Sequence, residues 1–159
     1  MKKITLILAA TLMLSAVQAH AEQYRVVGVM DGDTIRVLKD RSQMKCRLSA
    51  VDAPEKNQPY GQQSKKSLSD MVFNKMVEVN VVDHDQYGRS VCVIALNGVD
   101  INKAQVQRGM AWWYRKYSKD ASYGHAESAA RHQRVGLWAD ANPTPPWAFR
   151  RTERSTGFR

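Results

Sequence analysis

The sequence predicts an α+β fold, mainly a five-stranded β barrel of the OB type with about three packed helices. Three observations lead to this prediction. Short β-branched runs recur along the chain, turn residues separate them, and an amphipathic helical segment falls between the third and fourth runs. Five strands with a helix after the third is the element order of this small, partly open barrel, which frequently binds nucleic acid.

The elements follow one another from residue 23 onward. The predicted strands are Gln23–Met30, Thr34–Leu38, Met44–Leu48, Lys75–Asp83 and Arg89–Leu96, and the predicted helices are Gln62–Asn74, Ile101–Arg108 and Tyr123–Arg134. Asn97-Gly98 is a strong signal for a hairpin turn after the fifth strand. Gly109 and Gly136 are suitable residues for ending the last two helices.

The first 21 residues have the organisation of a signal peptide. Lys2-Lys3 is a positive start, Ile4–Val17 is mostly apolar, and Ala19-His20-Ala21 has the small-x-small pattern of a cleavage site. The apolar run is short for a membrane span. We therefore expect a periplasmic or secreted protein whose mature chain has no membrane span.

Residues 22–140 are expected to form one domain, and residues 141–159 an extended tail rich in Pro and Arg. The 159 residues include 24 Lys+Arg and 15 Asp+Glu, which gives a net charge of +9. A basic exported protein with clustered acidic residues suits a polyanionic substrate held at a metal. The same charge could simply keep the protein soluble, so charge alone does not separate these alternatives. We expect a monomer.

The two cysteines, Cys46 and Cys92, leave two alternatives open. An oxidising compartment permits a disulfide between them. Both residues also fall in predicted strands among apolar neighbours, where buried free thiols are ordinary. The sequence slightly favours no essential bridge.

Two acidic segments, Asp31-Gly32-Asp33-Thr34 and Asp52-Ala53-Pro54-Glu55, flank the predicted hairpin of strands two and three. A hairpin brings its ends together, so we expect Asp33 and Asp52 to be neighbours. Close carboxylates repel each other unless a cation lies between them, and hard oxygen ligands suit Ca²⁺ or Mg²⁺. Glu55 is placed to act as a base or an outer-shell ligand. Each segment taken alone is more typical of a structural turn.

Arg47 and Arg89 are predicted at the same mouth of the barrel as these acids. Two arginines can bind a phosphodiester through bidentate hydrogen bonds, which strengthen as negative charge builds in the transition state. A metal would polarise the same phosphate, and Glu55 could take the proton of the attacking water. A single Arg at a strand end is more often solvated or structurally paired. The hypothesis therefore depends on the whole set of residues.

From about Tyr24 to Trp138, the chain resembles the staphylococcal nuclease-like thermonucleases. The resemblance depends on the order and spacing of several motifs, which are Asp31-Gly32-Asp33-Thr34, Arg47-Leu48-Ser49-Ala50-Val51-Asp52-Ala53-Pro54-Glu55, Asp85-Gln86-Tyr87-Gly88-Arg89, Asn102-Lys103-Ala104, Gln107-Arg108-Gly109-Met110-Ala111 and Gly136-Leu137-Trp138. It implies an OB barrel with added helices and a Ca²⁺-dependent nuclease that cleaves DNA and RNA at the 5′ oxygen and leaves 3′-phosphate ends.

The resemblance also implies roles for individual residues. Ca²⁺ would be held by Asp33, Asp52 and the carbonyl of Ala53, the catalytic residues would be Arg47, Glu55 and Arg89, and nucleic acid would contact Tyr87, Tyr114 and Tyr117. Two departures from the family pattern stand out. Ala53 replaces a threonine, and one of the stacking tyrosines falls on Arg115 unless Tyr114 takes its role.

Two other functions fit the same sequence. A catalytically silent OB module that binds nucleic acid would share the fold and the basic charge, but it has no need for Asp33, Asp52, Glu55, Arg47 and Arg89 together. An exported module that binds an acidic protein or polysaccharide would leave the carboxylate pair unexplained.

Overall fold

The computed structural model describes residues 22–157, so the predicted signal peptide at residues 1–21 lies outside the described residues. The strands are β1 Glu22–Val29, β2 Thr34–Lys39, β3 Ser42–Leu48, β4 Val51–Asp52, β5 Met76–His84, β6 Ser90–Leu96, β7 Val99–Asp100 and β8 Trp112–Trp113. The helices are α1 Gly61–Val72, α2 Ile101–Gln107, α3 Ala121–His132 and α4 Pro146–Thr156, with a short 3-10 helix at Gly136–Ala139. The predicted signal peptide and export stay predictions, as does the monomeric state.

The five longer strands form a closed barrel in the order β3-β2-β1-β5-β6. Neighbouring strands in that order are antiparallel, and a parallel pairing of β3 with β6 closes the barrel. α1 falls between the third and fourth barrel strands, which is the predicted order. The prediction of an α+β, OB-type barrel is confirmed.

The barrel interior is filled by residues that alternate along the strands. Ile35 and Val37 on β2 are fully buried, as are Val26 on β1 and Ile94 on β6. Because side chains alternate between the two faces of a strand, this spacing directs one face of each strand into the core. Cys46 and Cys92 are both buried as free thiols in this core.

The turn predicted at Asn97-Gly98 joins β6 to β7. Both residues have positive φ, 52° at Asn97 and 77° at Gly98, which is the conformation that favours Asn-Gly in tight hairpin turns. β6 and β7 pair in antiparallel register on either side of it. The hairpin leads directly into α2, which starts at Ile101 with Asp100 as its N-cap.

The expectation of an extended C-terminal tail is wrong over residues 146–156, which form α4. Pro146 is at the first helical position, where its missing N–H costs nothing and its fixed φ suits a helix. Trp147 then packs against a small buried cluster that includes Trp112 and Trp138. The prolines therefore begin a docked helix, and the described chain has four α-helices instead of about three. Within residues 22–157, no helix is long and apolar enough to cross a membrane.

Candidate active site

The two acidic segments meet at the open end of the β2–β3 hairpin, as predicted. Asp33 Oδ2 accepts a hydrogen bond from the backbone N of Ala53 at 2.8 Å. Arg47 links the two carboxylates, with Nη1 lying 2.6 Å from Asp33 Oδ2 and Nη2 lying 3.0 Å from Asp52 Oδ1. The strand register explains this, because Arg47 pairs directly with Thr34, the residue after Asp33.

Buried neighbours fix the backbone that carries these acids. The side chain of Gln105 is fully buried and donates to the carbonyl oxygens of Gly32 at 2.7 Å and Ser64 at 3.1 Å. A Cβ at Gly32 would overlap Ser64 Oγ, so only glycine fits between the acidic turn and α1. Asp52 is held by the pairing of β4 with β8, in which it faces Trp112. Gln105 and Ser64 thus support the turn from the core.

A second arginine, Arg150 of α4, enters the acidic site. Its Nη2 lies 2.8 Å from Asp52 Oδ2, and its Nη1 lies 3.1 Å from Asp52 Oδ1 and 2.6 Å from Glu55 Oε1. Asp52 is 1% exposed, and each of its oxygens accepts at least one arginine N–H. The site therefore joins three carboxylates, from Asp33, Asp52 and Glu55, to two guanidinium groups.

Burial and neighbouring charges shift the pKa values of the ionisable groups at this site. Burial and the charge of Asp33 raise the pKa of Asp31 to about 6. Burial also raises the pKa of Asp52, and the charge of Asp33 adds to this effect, while Arg150 and Arg47 oppose it. Burial alone would lower the pKa of Arg47, but the charges of Asp33 and Asp52 hold it above its ordinary value. A cation between these carboxylates would reduce their mutual repulsion.

The donor atoms at this site fit a hard divalent cation. Asp33 and Asp52 supply carboxylate oxygens from buried positions next to the backbone of Ala53, and oxygen donors are the ligands that Ca²⁺ and Mg²⁺ take. Among residues 22–157, no three His, Cys, Asp or Glu side chains are arranged to hold a metal ion together. A cation here would therefore complete its coordination with backbone carbonyls, water and substrate.

Arg89 and Tyr87 lie on the turn before β6, and their side chains contact each other. Arg89 Nε is 2.6 Å from Asp85 Oδ2, and its guanidinium lies 5.7 Å from the centre of the Tyr87 ring. The parallel register pairs Ser90 with Cys46, so Arg89, directly before β6, lies next to the part of β3 that carries Arg47. In this structure Arg47 binds the acidic cluster, whereas Arg89 is paired with Asp85.

The predicted tyrosines near residue 115 lie beside a groove of about 520 Å³ between β8, α3 and α4. Tyr114 stacks on Trp147 with ring planes 3° apart and centroids 5.6 Å apart, and Tyr117 meets Tyr114 edge-on. Tyr117 is 68% exposed. The groove is lined by aromatic and cationic side chains, among them Trp112, Trp113, Tyr114, Arg115, Arg131, Trp147 and Arg151.

Sequence reasoning missed Arg150 and Trp147. Arg150 lies 98 residues from Asp52 along the chain, in a segment that was expected to be extended. One signal was available, since Pro-Pro-Trp at 145–147 places a proline at a helix start and an anchoring aromatic next to it. No pattern in the sequence indicates which partner Arg150 would meet.

The fold and the site define a class of small OB-type barrel proteins in which arginines and carboxylates gather at the end of one hairpin, a site suited to phosphodiester chemistry. The chain belongs to the family described as staphylococcal nuclease homologue, which matches residues 45–140. The family resemblance seen in the sequence is therefore confirmed.

Several curated relatives cover most of this chain. An uncharacterized endonuclease of Haemophilus influenzae is 41% identical over 152 residues, which are 95% of this chain and 85% of the relative. A micrococcal nuclease of Shigella flexneri is 38% identical over 159 residues, with 92% of this chain and 91% of the relative covered. A staphylococcal-like nuclease of Arabidopsis thaliana is 36% identical over 134 residues, which cover 84% of this chain and 40% of that protein.

Proposed function

We propose that this protein is a Ca²⁺-dependent endonuclease that hydrolyses both DNA and RNA and leaves 3′-phosphate ends. The observation that carries the proposal is the single Arg47 guanidinium shared by Asp33 and Asp52, with Glu55 joined to the same cluster. Family membership and relatives that are named endonucleases and nucleases support hydrolysis of nucleic acid.

In this proposal, Asp33, Asp52 and the carbonyl of Ala53 hold the calcium ion. When bound, the ion supplies polarisation of the phosphodiester and orientation of the attacking water. The Glu55 carboxylate accepts the proton from that water as its oxygen bonds to phosphorus. The bond from phosphorus to the 5′ oxygen breaks, the 5′ oxygen takes up a proton from solvent water, and the phosphate stays on the 3′ end.

Arg47 and Arg89 stabilise the charge that builds on the phosphoryl oxygens. Arg47 is already fixed beside the acids, since its side chain is 16% exposed and paired to both of them. Arg89 is 27% exposed in its side chain, and it reaches the phosphate by exchanging Asp85 for substrate. The two arginines therefore approach the phosphate from β3 and from the turn that leads into the adjacent strand β6.

Nucleic acid as the substrate is supported by the charge and the aromatic surface of the chain. The net charge is +9, and phosphate contacts by such a surface bind nucleic acid without regard to sequence. Tyr87 is 75% exposed beside Arg89, and Tyr117 and Tyr114 lie at the groove next to β8. Exposed aromatics beside cations suit stacking on bases of a single strand.

The deciding experiment compares cleavage with and without calcium. The purified protein is incubated with single-stranded DNA, duplex DNA and RNA, in Ca²⁺ or in excess chelator, and the products are separated on gels. We expect fragments of all three only with Ca²⁺, with ends that resist extension by a polymerase until a phosphatase is added. Binding without cleavage under every metal tried would favour the silent OB module. Cleavage that continues in chelator would contradict the metal dependence.

A further inference from the structure

Arg150 contacts two acids to which the proposed function gives different roles. Its guanidinium binds both oxygens of Asp52, a proposed metal ligand, and Glu55, the proposed base. Within residues 22–157 it is the only arginine or lysine that ion-pairs with both residues. Arg150 also lies beyond residues 45–140, the part of the chain that the family description matches.

The position of Arg150 is set by several independent contacts of α4 and the segment before it. Trp147 stacks on Tyr114 and meets Trp112 edge-on, with ring centroids 5.5 Å apart. Two hydrogen bonds then fasten this region to the loop that carries Glu55. They run from Gln58 Nε2 to the Thr144 carbonyl at 2.6 Å, and from Asn57 Nδ2 to Glu153 Oε1 at 2.6 Å. Besides the Arg150–Glu55 pair, α4 and the segment before it are thus joined to the Glu55 loop by two hydrogen bonds.

The two arginines that pair with Asp52 differ in the solvent exposure of their side chains and in their other partners. The side chain of Arg47 is 16% exposed and is paired to Asp33 as well, whereas the side chain of Arg150 is 33% exposed. A cation that takes an oxygen of Asp52 must share it with Arg150 or displace that side chain. Displacement of Arg150 is the easier exchange, because its guanidinium already borders solvent and keeps Glu55 as a second partner.

We propose that Arg150 is a positioning residue of the active site that competes with the metal ion for Asp52. Before the metal binds, Arg150 neutralises Asp52 and aligns Glu55. After the metal binds, Arg150 keeps Glu55 and turns its other N–H groups towards the substrate phosphate, which guanidinium binds well. This inference rests on the proposed Ca²⁺-dependent nuclease and adds to it a control on metal entry.

If Arg150 both competes with the metal and positions Glu55, its removal should raise the Ca²⁺ affinity and lower the turnover rate. Without the guanidinium, Asp52 keeps Arg47 as its one arginine partner and its Oδ2 is released for a cation, so Ca²⁺ should bind the protein more tightly in the absence of nucleic acid. Without the same group, Glu55 loses its partner, so turnover should slow. A merely structural role predicts loss of both properties together, because a loosened site binds the ion less well.

The test measures Ca²⁺ affinity by titration calorimetry on the protein alone, and turnover separately. For Arg150→Gln, we expect Ca²⁺ to bind about twofold to fivefold more tightly than in the wild type, the range for a partly exposed ion pair. We expect kcat to fall about tenfold to a hundredfold, as for other groups that orient site ligands. Arg154→Gln removes the same charge from the same helix without touching the acids, and should leave Ca²⁺ affinity unchanged.

Two further outcomes complete the design. Arg150→Lys keeps the positive charge but lacks the planar guanidinium, so its Ca²⁺ affinity should stay near that of the wild type while its kcat is lower. If circular dichroism shows that Arg150→Gln is unfolded, Arg150→Lys takes its place in the kcat test. Equal or weaker Ca²⁺ binding in folded Arg150→Gln, or an unchanged kcat, overturns the inference and leaves the calcium-dependent nuclease standing. A wild-type protein that cleaves without calcium and does not bind it overturns both.

Discussion

The carboxylate of Asp33 is hydrogen-bonded to the backbone N–H of Ala53 at 2.8 Å, across 20 residues of sequence. This bond ties the turn before β2 to the loop after β4 and sets the backbone of Ala53 beside the carboxylate. A carboxylate and a backbone segment are therefore fixed together before any ion arrives. Fixing ligand atoms in advance lowers the cost of ordering them on binding.

Asp33→Asn is expected to separate the charge of Asp33 from its structural bond. The Asn side-chain oxygen can still accept from Ala53 N, so the protein should fold with an unchanged circular dichroism spectrum. The loss of one negative ligand should weaken Ca²⁺ binding at least about tenfold, which corresponds to ~1.4 kcal/mol. Calorimetry checks the affinity, and Asp70→Asn, an exposed carboxylate on α1, is the matched control. Unaltered affinity in Asp33→Asn would argue against its role as a ligand.

Glu55→Gln should leave the fold intact and remove most of the activity. The backbone N of Glu55 is held by Gln58 Oε1 at 3.1 Å, and this bond does not depend on the side chain. Loss of a general base typically costs about 10²–10⁴ in rate, and kcat should fall by this amount with little change in KM. Rates at saturating substrate give the answer, and a rate equal to the wild type would remove Glu55 from the mechanism.

Arg89→Ala is expected to slow cleavage without disturbing the turn before β6. That turn keeps its backbone hydrogen bonds, from Asp85 N to the Arg89 carbonyl and from Gly88 N to the Asp85 carbonyl, both at 3.0 Å. Loss of one transition-state donor costs about 10²–10³ in kcat. Arg41→Ala, at the far tip of the β2–β3 hairpin, controls for loss of positive charge. If the two variants were equally active, Arg89 would have no catalytic role, and its function would be limited to the ion pair with Asp85.

Gly32→Ala should destabilise the protein, because the new methyl group has no room. It would overlap Ser64 Oγ and come within 2.7 Å of the Ala53 Cβ. Overpacking of this kind lowers the free energy of unfolding by about 1–3 kcal/mol. Gly28→Ala is the control, since its nearest contact is an ordinary 3.6 Å to Arg36 Cβ. Urea unfolding of both variants measures the difference, and equal midpoints would show that the turn can shift to make room.

The exposed arginines of α4, Arg151 and Arg154, should contribute to nonspecific binding of nucleic acid. Removing one cation that binds a phosphate changes the slope of log K against log salt by about 0.7 for a single strand. Replacing both arginines with Gln should therefore flatten the slope by up to ~1.4. Binding titrations of a single-stranded oligonucleotide at several salt concentrations measure this, with Arg41→Gln as the control. A slope equal to that of the wild type would place the nucleic acid away from α4.

The barrel could be predicted from the sequence because its signals are local. Alternation of apolar residues, the Asn97-Gly98 turn and the helix between the third and fourth barrel strands each depend on a few adjacent residues. The meeting of Asp33 with Asp52 was predictable for the same reason, since a hairpin joins its own ends. The presence of Arg47 at this site was predictable because Arg47 lies near the end of β3, where the hairpin ends meet.

The sequence alone thus determined the barrel, its family and the acidic cluster with Arg47. Only the tertiary structure decided that Arg150 joins this cluster and that Arg89 is paired with Asp85. The physical reason is that α4 is placed by packing, through Trp147 against Tyr114 and Trp112. Packing between distant segments leaves no periodic pattern in the chain, so the pairing of Arg150 with Asp52, 98 residues away, appears only once the fold brings the two together.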